Sequence, residues 1–71
     1  MGYIERGAVK VIEVIGVSEK SWEDAVEQAV KKAAESVKGI TGVEVVAQTA
    51  RVEGNKVIRY QATCKLAFAV E

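Results

Sequence analysis

A chain of 71 residues with ten basic and ten acidic side chains, one cysteine and no histidine is one domain at most. It has no net charge with which to draw nucleic acid or an anionic membrane, so neither is expected as a partner. A lone thiol without histidine excludes both an internal disulfide and a zinc site, which leaves self-association as the way to stabilise a domain that would bury only about 60% of its unfolded surface.

No apolar run approaches transmembrane length, and the opening MGYIERGAVK lacks the apolar stretch of a secretory signal. Met1-Gly2 begins like a myristoylation signal, but Arg6 stands where serine or threonine is needed. With its low cysteine use, the chain is expected in the cytoplasm. Residues 1–8 read as an N-terminal extension and 9–71 as a single domain.

The first element is a strand from Val9 to Val17, rich in β-branched residues. Ile12, Val14, Val11 and Ile15 fall on both of its faces, as in a strand buried on two sides. A helix follows. Trp22, Ala25, Val26, Ala29, Val30, Ala33, Ala34 and Val37 recur at i, i+3, i+4, i+7. Ser21 is its N-cap, Glu23 and Asp24 complement the positive end of its dipole, and Lys38 the negative end. Glu27 and Lys31 are spaced as an ion pair, and Gly39 stops the helix. Trp22 is assigned to the core by its place on the apolar stripe.

Two long strands complete the chain. Val43 to Glu53 is followed by a Gly54-Asn55 hairpin turn and then by Lys56 to Val70. In the last strand Ile58, Tyr60, Ala62, Cys64, Leu66, Phe68 and Val70 share one face; Arg59, Gln61, Thr63 and Lys65 share the other. The order is β-α-β-β, an α+β class, with the first and last strands adjacent and all neighbours antiparallel. Fifteen strand residues span about 50 Å. A compact chain of this size is only about 30 Å across, with a radius of gyration near 11 Å. The strands must overhang the helix, so either the sheet bends or other copies cover the excess.

The segments VKVIEVIGVSEKSWEDAVEQAV, VEVVAQ and VIRYQATCKLAFAVE, at these spacings over residues 9 to 71, resemble the dodecins. The marks are the strand-end Gly16-x-Ser18 ahead of Ser21-Trp22-Glu23, the run Glu44-Val45-Val46, and Tyr60-Gln61. The resemblance implies a three-stranded antiparallel sheet partly wrapped around one helix. It also implies a hollow homododecamer of 23 symmetry that binds a flavin (FMN, FAD or riboflavin). In flavin-binding members an aromatic residue, usually tryptophan, stands two positions before the Glu-Val-Val run and stacks on the isoalloxazine ring. Here that position is Gly42. Gln61 matches the flavin-contacting glutamine of the Tyr-Gln pair, Gln48 matches a second glutamine of the site region, and Val45 is a further candidate contact near Gly42. Ala47 stands where an acidic residue commonly does. Thr49 and Ala69 stand where some members carry cations that meet phosphate. The resemblance thus implies an impaired flavin site with candidate contacts Gly42, Val45, Gln48 and Gln61. From the residues alone, Gly42 reads as a turn glycine opening a strand.

Other signals have plain explanations. Cys64 sits between Ala62 and Leu66 on an apolar face with no histidine to activate it, so it reads as a buried, inert thiol. Glu23, Asp24 and Glu27 read as a solvated helix face. A symmetric cage can gather carboxylates onto an axis, and some family members bind metal, so calcium or magnesium is the alternative ligand. GVSEKS lacks the spacing of a phosphate loop. No nucleophile–base pair or metal triad marks an enzyme.

Overall fold

The computed structural model describes residues 7–70. Its elements are β1 (Val9–Ser18), α1 (Trp22–Ala34), β2 (Ile40–Glu53) and β3 (Lys56–Ala69). They form one three-stranded sheet in the order β1-β3-β2, antiparallel at both pairings, with the helix on one side. This is the expected arrangement. The expected N-terminal extension falls mostly on residues 1–6, outside the described residues.

The helix rests on β1 because Gly16 lets it. A Cβ at Gly16 would overlap the Ala25 carbonyl oxygen and come within 3.0 Å of the Ala29 Cβ. Ala25, Ala29 and Ala33, four residues apart, form the buried stripe of α1. They meet Ala62, Cys64 and Leu66, the alternating inward residues of β3. Ile12, Val14, Val26, Val30 and Ile40 flank this core. Among the described residues the largest fully buried side chains are Leu66 and Cys64. That is little apolar burial for a chain with no disulfide or zinc site.

Ser18 and Ser21 start the helix. The Ser18 hydroxyl donates to Asp24 Oδ2 at 2.7 Å and accepts from the amides of Lys20 and Ser21 at 2.9 and 3.4 Å. Ser21 Oγ accepts from the Asp24 amide at 3.0 Å, the expected N-cap. The Gly-x-Ser motif is therefore structural: its glycine seats the helix and its serine ties the strand end to the first turn.

The helix is shorter than its periodicity predicts. It ends at Ala34, and the amides of Glu35, Ser36 and Val37 bond to the carbonyls of Lys32 and Ala33 at 2.8–3.2 Å, tightening the last turn. Gly39, with φ 77°, lies well past that end and turns the chain into β2 instead of stopping the helix. Strand pairing takes over early, since Ile40 is already paired with Phe68. The Glu27–Lys31 pair is not among the ion pairs of the described residues. An exposed Lys32–Glu35 pair at 3.8 Å is present, a geometry that contributes little.

Trp22 is not in the core. It is half-buried, its Nε1 donates to the Thr49 carbonyl oxygen at 2.8 Å, and its ring meets Tyr60 edge-on with centroids 4.8 Å apart. It reaches from the helix start to the edge strand β2. The hairpin turn is as expected, with φ 57° at Gly54 and 65° at Asn55, the left-handed pair of a type I′ turn.

The chain measures 50 × 20 × 14 Å with a radius of gyration of 14.0 Å. It is an extended sheet rather than a compact ball, and the 13-residue helix, about 20 Å long, is overhung by both long strands. The second face of β1, expected to be covered, is open: Val11 and Ile15 are 53% and 58% exposed. No helix among the described residues is long and apolar enough to cross a membrane.

Candidate functional site

Strand register decides which side chains share a face. Partners directly across a ladder point to the same side. On the face away from the helix, successive rungs are Val11–Ala67–Gly42, Glu13–Lys65–Glu44, Ile15–Thr63–Ala47, Val17–Gln61–Thr49 and finally Arg59–Arg51. On the helix side they include Val14–Cys64–Val45 and Gly16–Ala62–Gln48. Thr41 and Val46 are extra residues on β2, which let its alternation shift while it stays paired.

One chain does not bring the four candidate residues together. Gly42 and Gln61 share the outer face but stand six β3 positions apart, about 20 Å. Val45 and Gln48 are on the helix side. The helix lies mainly over β1 and β3, so this stretch of β2 is uncovered there too, and Val43 and Val45 are exposed. Any site built from all four needs more than one copy of the chain.

Gly42 has no positive φ, and a Cβ placed on it would meet only the Ala67 Cβ at 3.9 Å. Its backbone therefore makes no demand for glycine, which removes the turn explanation. It opens onto a shallow depression of about 470 Å³ lined by Val11, Gly42, Val43, Glu44, Lys65 and Ala67. Gln61 is half-buried, and Thr49 Oγ1 donates to its Oε1 at 3.5 Å, leaving the amide N–H groups as donors. Ala69 lies beside Val9 at the far end of the same face.

Two titratable groups are displaced from their ordinary values. The hydrogen bond from Ser18 holds the Asp24 carboxyl low. Desolvation opposes this, while Gln28, Lys20 and Lys31 add to it. Asp24 is thus engaged in starting the helix. Burial pushes the Cys64 thiol up, so it stays protonated and unreactive. Among the described residues no three His, Cys, Asp or Glu side chains converge in a way that could hold a metal ion, Glu23, Asp24 and Glu27 included. Two features escaped the sequence reading: the Trp22–Thr49 bond and the facing Arg51 and Arg59. Both depend on register, which alternation alone does not supply.

The Dodecin family model matches residues 8–71. The chain belongs to the dodecin family. It is 37% identical over 59 residues to the calcium dodecin of Mycobacterium tuberculosis, covering 83% of each chain. Among solved structures, it matches the dodecin from Streptomyces coelicolor with a TM-score of 0.90 and 28% identity, over 96% of this chain and 97% of that one. It matches a calcium dodecin structure from M. tuberculosis, described as calcium-chelating with a novel calcium-binding site, with a TM-score of 0.79 and 34% identity. That match covers 92% of this chain and 93% of that one. The β-α-β-β fold and the dodecin assignment made from the residues both stand.

Proposed function

We propose that this dodecin is a non-enzymatic, cytoplasmic homododecamer of 23 symmetry that binds or stores a small molecule, with its flavin site weakened at Gly42. The observation that carries the reading is the open, conformationally ordinary Gly42 on a rung it shares with Val11 and Ala67. A Cβ has room there, yet no side chain is present to stack on a ring. Val45, Gln48 and Gln61 are the other proposed contacts, supplied by different copies. The exposed row Val9, Val11, Ile15 and Val17 supports assembly, because a face of that kind associates in water.

Native mass spectrometry of protein purified without ligand tests both parts at once. Twelve subunits without a flavin-sized adduct are expected. Titration of riboflavin should give weak quenching, and Gly42→Trp should strengthen binding about tenfold or more, since aromatic stacking contributes about 0.5–1.5 kcal/mol per pair beyond area burial. Tight binding by the unmodified chain would sink the impaired-site reading.

The likeness to a calcium dodecin favours a second reading, a cage holding calcium or magnesium in place of flavin. Since no single-chain metal cluster exists among the described residues, its ligands would come from several copies around an axis. A melting temperature that rises with calcium and falls with chelator is the expected signature. An unchanged melting temperature in both removes this reading.

A further inference from the structure

The end of the β2–β3 arm carries an arrangement that the fold does not explain. Arg51 and Arg59 are direct cross-strand partners on the outer face, on an arm that extends past β1. Like charges placed directly opposite on one face destabilise a ladder. Local compensation is slight. Arg51 Nε has Glu53 Oε2 at 3.8 Å, with both side chains more than 60% exposed. Arg59 is exposed and has no ion pair among those of the described residues. The next rung inward on the same face is Thr49–Gln61. There the threonine hydroxyl donates to the glutamine oxygen, which leaves the amide N–H groups as donors. Two guanidinium forks and one amide thus stand within two rungs, a patch rich in donors.

We propose that Arg51 and Arg59 form an anion-binding pair that takes the phosphate of a phosphorylated ligand, with Gln61 contacting the body of that ligand. Planar guanidinium groups match phosphate oxygens two at a time, and two on neighbouring strands can share one phosphate. Rungs about 7 Å apart separate a phosphate from an attached ring by a short linker. The arginine pair lies one rung beyond Thr49, on the face that carries Gln61. The role of Gln61 rests on the small-molecule reading above; the anion site does not.

The test compares the assembled chain with the double variant Arg51→Gln/Arg59→Gln. Removing facing like charges at exposed positions leaves folding intact. In the first arm, melting is followed in inorganic phosphate against sodium chloride of equal ionic strength. Phosphate should raise the melting temperature of the unmodified protein by at least about 2 °C more than it raises that of the arginine-free protein. In the second arm, FMN and riboflavin are titrated by fluorescence. The unmodified protein should prefer FMN about tenfold, and the double substitution should abolish that preference while keeping the riboflavin affinity. Loss of either difference on substitution supports the site. A phosphate difference with no flavin binding retires the flavin reading and keeps the anion site. The proposal is overturned if the unmodified protein shows neither difference, or if every difference survives the double substitution. A substituted protein that assembles with a different subunit count also overturns it, because the arginines then serve contacts between copies.

Discussion

The two faces of the sheet are built by different rules. The helix face is closed by small residues: Gly16 admits the backbone of α1, and Ala25, Ala29 and Ala33 settle on Ala62, Cys64 and Leu66. The outer face carries β-branched side chains that are left in the open, Val9, Val11, Ile15 and Val17. The small residues sit where contact is already made within the chain. The large ones sit where contact has yet to be made. Apolar surface is thus left open for contacts between copies, and burial of such surface stabilises folding and association alike.

Substitutions on the two faces should separate these roles. The largest effect is expected at Gly16→Val, where the new side chain overlaps the Ala25 carbonyl. A loss of about 3 kcal/mol or more, seen in a thermal melt, would come with loss of helix by circular dichroism. Ile15→Asp should leave the isolated fold's own contacts intact, since Ile15 is 58% exposed. It should nonetheless reduce the assembly to smaller species by light scattering, because burying an unpaired carboxylate costs several kcal/mol. An Ile15→Asp protein that stays fully assembled would show that this face is not an interface.

Smaller effects come from the link between the helix and the edge strand. Trp22→Phe keeps the ring against Tyr60 but deletes the bond to Thr49, a loss of about 1 kcal/mol in denaturant titration. The smallest is the acid response of Asp24. Its folded value is depressed, so the stability it contributes is present above the unfolded value near 4 and fades as pH falls through the lower folded value. Asp24→Asn should flatten the stability profile in that acid window and leave its slope near neutrality unchanged.

Much of this fold was legible because its elements are locally consistent. The helix stripe, the Ser21 cap, the Gly54-Asn55 turn and the clean alternation of β3 each point to one structure. The end of the helix was not legible, since Val37 continues the periodicity and only the pairing of Ile40 with Phe68 ends it. Trp22 was misplaced for a related reason: a stripe says which way a residue faces, not whether anything lies above it. The candidate site was legible only as separate positions. Gly42, Val45, Gln48 and Gln61 are close in motif terms, but pairing sets them on two faces. An ideal two-residue hairpin would pair Arg51 with Ile58; the irregularity between Arg51 and Val52 sets it opposite Arg59.

The freedom at Gly42 has a consequence for how such a protein changes over generations. A position with ordinary dihedrals and open space around its Cβ places no constraint on the architecture that carries it. A Cβ added there meets no clash within the fold and alters only what the surface presents. Selection can thus change what this surface presents one codon at a time, while Gly16, where any Cβ collides with the helix, holds the fold fixed.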